Sequence, residues 1–295
     1  MKRPGRIENA LRHDLDEIAR IEDRRRALRA IAGFGLGMGL LPIFGCAGAT
    51  ESSSGGSSGS SGSTSSSGST SSSGSTSSSG STSSSGATGE CSEIPSETNG
   101  PYPADGTNGP NTLTASGIVR ADMRPSFGSF SGTATGIPLQ VDLTIVNTKA
   151  ACAALASYAV YAWHCDQAGK YSIYELTTQN YLRAVQETDA NGKVSFQTIF
   201  PGAYNGRYPH IHFEIFSSLA NATAATGKVK TSQLALPEAA CLAVYETTGY
   251  EQSKTNFPST PLSRDNVFSD GATLQLSSVT GDVASGYRAS LIVGV

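Results

Sequence analysis

The feature that most constrains this chain is a tract of Ser, Gly and Thr between residues 52 and 88, in which Gly-Ser-Thr-Ser-Ser-Ser repeats from Gly62 to Gly86. It has no apolar surface to offset the entropy of ordering, so it behaves as a flexible spacer. No position of the six-residue repeat can build a core, which excludes a solenoid. At about 5–6 Å times the square root of its length, it reaches on the order of 35 Å. The 295 residues therefore divide into a leader over 1–49, a linker over 50–89 and a folding region over 90–295. That last region is the size of one all-β domain. A net charge of −3, with no basic stripe beyond the N-terminus, argues against a nucleic-acid partner.

The leader reads as an export signal. Arg24-Arg-Arg-Ala-Leu28-Arg29 precedes a glycine-rich apolar run from Ala30 to Gly45, a charged region before a short hydrophobic one. The run is short for a membrane span. Paired arginines and a weakly apolar core point to twin-arginine export, with an ordinary Sec signal or an N-terminal anchor as the other readings. Ile43-Phe-Gly-Cys46 suggests lipoprotein processing, with Cys46 as the lipid anchor, while Ala47-Gly-Ala49 offers an ordinary cleavage site. Either route delivers the domain outside the cytoplasm, to the periplasm, a membrane surface or the medium. Export favours disulfides among Cys91, Cys152, Cys165 and Cys241. Of the three possible pairings, Cys152 with Cys165 and Cys91 with Cys241 is the one favoured. Four free buried thiols are the alternative, and the absence of CxxC spacing argues against zinc.

Within the folding region, short β-branched or alternating stretches recur: 117–119, 138–147, 157–164, 181–188, 193–198, 210–216, 232–235, 273–279 and 287–293. Turn chemistry separates them, as at Asp189-Ala-Asn-Gly192. Lys149–Leu155 and Pro237–Tyr245 read as short helices. The pattern predicts an all-β fold, a β-sandwich of mainly antiparallel strands with long loops and few short helices.

The most informative chemistry is Tyr204-Asn-Gly-Arg-Tyr-Pro-His210-Ile-His212, which holds two of the chain's four histidines. At i and i+2 of a strand the two imidazoles share a face. His-x-His alone suits zinc or copper as well as iron, and such histidines are often simply hydrogen-bonded, so further ligands matter. Tyr204, Tyr208, Tyr171, Tyr174, His164 and Asp166 are the nearby candidates.

A series of motifs in order resembles the intradiol ring-cleavage dioxygenases. These are Glu97-Thr-Asn-Gly-Pro-Tyr102, Trp163-His-Cys-Asp166, Gly169-Lys-Tyr171-Ser, Leu182-Arg-Ala-Val-Gln186, Thr188-Asp-Ala-Asn-Gly192, Ile199-Phe-Pro-Gly-Ala-Tyr204 and Pro209-His-Ile-His212-Phe, together covering roughly residues 95–236. The resemblance implies a mononuclear non-haem Fe(III) held by Tyr171, Tyr204, His210 and His212, with Tyr174 a rival to Tyr171. Phenolate is a hard anionic donor suited to ferric iron. The resemblance further implies cleavage of a catechol-like substrate by O2 to a cis,cis-muconate-type diacid, both oxygen atoms entering the product. Tyr204 would be the ligand that leaves to act as a base. Arg207 would stabilise negative charge on the substrate, and Gln233 would support the site from a neighbouring strand. Homo-oligomerisation is a further expectation.

Other residues carry plainer readings. Trp163 reads as core, His164 as surface or support for the site, Asp166 as a turn residue, and Tyr102 and Tyr208 as pocket lining or packing. Residues 246–265 have no counterpart in the resemblance and read as a lid or a surface loop. A tethered β-sandwich binding module without turnover is the alternative function, which retention of both tyrosines and both histidines in register disfavours.

Overall fold

The structure, a computed structural model, describes residues 91–295. The export signal over 1–49, processing at Cys46 and the linker over 50–89 lie outside the described residues. Nine strands follow in order: β1 (Pro138–Asn147), β2 (Ala153–Ala154), β3 (Ala159–Trp163), β4 (Arg183–Glu187), β5 (Lys193–Ile199), β6 (His210–Phe216), β7 (Lys228–Ala235), β8 (Ser278–Asp282) and β9 (Gly286–Gly294). Helix α1 (Glu238–Tyr245) and the shorter α2 (Glu251–Asn256) lie between β7 and β8. No helix among the described residues is long and apolar enough to cross a membrane.

The strands form two sheets. In the first, β1 pairs antiparallel with β5 and β2, and parallel with β9, which pairs antiparallel with β8. The second, β4-β3-β6-β7, is antiparallel throughout. Alternation explains how they stack. Leu139, Val141, Leu143 and Ile145 of β1 face Ile211, Phe213 and Ile215 of β6 in one buried core. Truncating Phe213 to Ala would cost about 3–5 kcal/mol from lost burial and the cavity left behind.

That same period of two turns His210, His212, Glu214 and Phe216 to the outer face of the second sheet. The register there aligns Arg183, Trp163, His212 and Gln233 in one row across four strands. The segment before β1 covers this face and caps both sheet edges. Glu97 N donates to Thr231 O on β7, and Arg120 N to Val185 O on β4.

Three expectations need correction. Cys91 is bonded to Cys152, and Cys165 and Cys241 are buried thiols. An extended β3 separates the turn holding Cys152 from Cys165 at its far end, at about 3.3 Å per residue, beyond disulfide reach. Cys241 lies on α1, buried in the inter-sheet core, and Cys91 is already taken by Cys152. Lys149–Leu155 is not a helix. Only Thr148–Ala150 makes a 3-10 turn, because Ala151 and Cys152 adopt φ of 48° and 63°. The stretch 273–279 is strand only from Ser278, since Gln275 N and Leu276 N turn back to Ala272 O.

Candidate metal centre

β6 places His210 and His212 on the covered face, 2% and 1% exposed. A carbonyl can only accept, so the contact of His210 Nδ1 with Tyr208 O at 2.5 Å puts the ring proton on Nδ1 and leaves Nε2 bare. Around that lone pair stand His212 Nε2 at 3.0 Å, Tyr204 Oη at 3.2 Å and Arg207 Nη1 at 3.4 Å. One lone pair cannot serve both the Tyr204 hydroxyl and the Arg207 guanidinium, and a second imidazole nitrogen is crowded against it. A cation held by the two Nε2 atoms and the phenol oxygen would relieve the conflict, and the 3.0 Å between the two nitrogens is close enough for one ion to be shared.

Tyr171 completes the cluster. Its ring lies edge-on to Tyr204, with centroids 5.7 Å apart, and 6.3 Å from that of His212. Its buried hydroxyl forms no well-aligned hydrogen bond but interacts with the Tyr204 hydroxyl, while His212 Nδ1 is buried without a hydrogen-bond partner among the described residues. A buried phenol so poorly satisfied is costly, and a cation beside it would satisfy its oxygen. Tyr174 is held elsewhere. Its oxygen accepts from Ala104 N and donates to Asn108 O.

Burial sets the protonation states. It pushes His210 down to about 3, aided by Arg207, and His212 well below the usual imidazole range, aided by His210. Both are neutral donors at neutral pH. Burial, reinforced by Tyr204, raises the Tyr171 phenol, so its deprotonation needs a cation close by. For Arg207 burial opposes the charge, but Tyr204 and Asp265 outweigh it and hold the guanidinium protonated.

Packing fixes the ligand geometry. Trp163 lies flat on His212, ring centroids 4.9 Å apart and planes 4° from parallel. On another side Gly100, at φ +71°, approaches so closely that a Cβ there would lie 3.0 Å from His212 Cε1. Arg207 Nη2 donates to Gln233 Oε1 at 2.6 Å, and Gln233 Nε2 to Thr98 O at 2.9 Å.

The remaining candidates take structural places. His164 is buried, Nδ1–H donating to Cys165 O and Nε2 meeting Thr198 Oγ1 at 2.6 Å. Asp166 accepts from Ala168 N and Lys170 N in a turn. Tyr208 donates to Leu236 O and packs on Phe257 and Phe268. Tyr102 rests on Tyr171, centroids 4.8 Å apart. Residues 246–265 form α2 and two short 3-10 turns at the surface, anchored at several points. Ser253 Oγ accepts from Ala203 N, Asn256 donates to Ala203 O, and the segment ends in Asp265, which pairs with Arg207. Sequence reasoning missed Asp265; its one signal was an acidic residue leading into the apolar pair Val267-Phe268.

No protein-family model and no curated protein matches the chain. Among solved structures, the chain is similar to an intradiol ring-cleavage dioxygenase from Tetranychus urticae. Identity is 23%, TM-score 0.55, with 69% of this chain and 94% of that one covered. It is also similar to a second solved dioxygenase, at 24% identity and TM-score 0.55, over 70% of this chain and 94% of the other. The described residues therefore share the fold of these proteins.

Proposed function

We propose that this chain is a mononuclear non-haem Fe(III) dioxygenase that opens a catechol-type ring between its two hydroxyl-bearing carbons. O2 is the co-substrate and a cis,cis-muconate-type diacid the product. The observation that carries this reading is His210 Nε2 with His212 Nε2 and Tyr204 Oη at 3.0 and 3.2 Å, beside the buried Tyr171 hydroxyl. The shared fold with two solved dioxygenases supports it. Tyr171, Tyr204, His210 and His212 would hold the ion, and two phenolates favour the ferric state over zinc or copper. Bound ferric iron would supply chelation of the catecholate and withdrawal of electron density from its ring.

The chain's own residues do the rest. His210 and His212, kept neutral by burial, need lose no proton to bind metal. Tyr204 is the less buried of the two tyrosines, and its Oη is placed to take a proton from the incoming catechol. Arg207, buried and fixed by Asp265 and Gln233, would offer a guanidinium toward charge that develops on the ring. The Cys91–Cys152 disulfide supports an oxidising compartment and hence export.

The test is oxygen uptake by iron-reconstituted protein with catechol under labelled O2. One O2 consumed per catechol, with both labelled atoms in a ring-opened diacid, is the expected result. Tyr204→Phe and His212→Ala should each lower the rate by at least about 100-fold. Quinone as the product, or wild-type turnover in either variant, would overturn the reading.

A further inference from the structure

We infer that Asp265, delivered by the segment between α1 and β8, is the positioning residue that aims Arg207 at the reacting centre; this deepens the proposed function and rests on it. Asp265 is fully buried. Its Oδ2 accepts from Arg207 Nε at 2.9 Å and Tyr208 N at 2.7 Å. Its Oδ1 accepts from Val267 N at 2.8 Å and Phe268 N at 3.1 Å, with Arg207 Nη2 at 3.5 Å. One carboxylate thus holds a guanidinium and the main chain that leads into the ligand strand, and its own position is set by two amides of the next turn.

The geometry assigns every edge of the guanidinium. Nε goes to Asp265, and Nη2 to Gln233 with a longer contact to Asp265. Nη1 is left facing His210 Nε2 at 3.4 Å. Once that lone pair is given to a metal it no longer accepts, and the Nη1 hydrogens become free for a bound catecholate. The planar fork makes this aim rigid, which a lysine could not reproduce. Removing one partner of a buried pair leaves the other uncompensated, so Arg207 without Asp265 would turn toward Tyr204 or draw in water. Asp265 touches none of Tyr171, Tyr204, His210 or His212 through its side chain, so its loss should spare the ligands.

The test compares wild type, Asp265→Asn, Arg207→Gln and the double variant, all as full-length protein. Asp265→Asn should keep wild-type iron content, lose at least about tenfold in kcat with KM within about threefold, and bind 4-nitrocatechol with an altered visible spectrum. In the Arg207→Gln background the same change should cost kcat nothing more, because the residue it positions is gone. The neutral Gln–Asn pair guards against misfolding caused by an unpaired charge. Thermal unfolding of the iron-free proteins gives a readout independent of turnover, in which the two substitutions should be strongly non-additive. Loss of iron in Asp265→Asn, or kcat within about threefold of wild type, would overturn the assignment. If wild type itself opens no ring, the functional reading fails; additive thermal effects would then refute the Asp265–Arg207 coupling separately.

Discussion

At the scale of single residues, the site is a contest for one lone pair. The hydrogen bond from His210 Nδ1 to Tyr208 O exposes Nε2, and two donors and a second ring nitrogen crowd a position that a cation would serve better. The clustering of the candidate residues was legible in the sequence because His-x-His on a strand fixes a shared face and the tyrosine motifs lie in order around it. Asp265 was not, since 58 residues separate it from Arg207 and no periodicity marks its segment. His164 shows a different cost of burial. It sits at about 4, pushed down chiefly by desolvation, whereas the unfolded imidazole titrates near 6.5. Between those values the unfolded state binds the extra proton. Stability from this group is therefore complete above about pH 6.5 and falls toward pH 4, by at most about 3 kcal/mol. Urea unfolding at about pH 7 and about pH 4.5 should show a shallower pH dependence in His164→Gln than in wild type; equal slopes would show that His164 is not the group responsible.

At the scale of elements, periodicity decided what could be read. The bounds of β1 and β6 match the expected 138–147 and 210–216 because alternation runs their whole length. Residues 149–155 misled, since alanines favour a helix while the backbone at Ala151 and Cys152 enters the left-handed region. Cysteine pairing was open because spacing along a chain says nothing of distance across a sandwich. The Cys91–Cys152 bridge closes a loop of 61 residues and pins the start of the segment that covers the candidate site. Removing it by a Cys91→Ser/Cys152→Ser double change should cost about 2–4 kcal/mol, read as a lower melting temperature. Bound iron should stay at wild-type stoichiometry, because neither cysteine touches the four candidate ligands. Iron loss on mild reduction of the folded protein would show instead that the covering segment is needed to close the site.

At the scale of the molecule, two sheets share one core, and the face turned away from it carries the candidate metal centre. That division follows from the strand period: Ile211 and Phe213 bind β6 to the opposite sheet, while His210 and His212 between and beside them face outward under the covering segment. Export and a flexible spacer would present such a domain to phenolic compounds outside the cell, a reading that rests on the leader and linker sequence and on the disulfide. The most direct measurement is a visible absorption spectrum, with metal analysis, of the purified full chain before and after adding catechol. The expectation is one iron per chain, a red-brown tyrosinate-to-iron(III) absorption and a shift of that band when catechol binds. A protein that stays colourless after reconstitution with iron would contradict it, and would favour a binding module built on a dioxygenase-like sandwich.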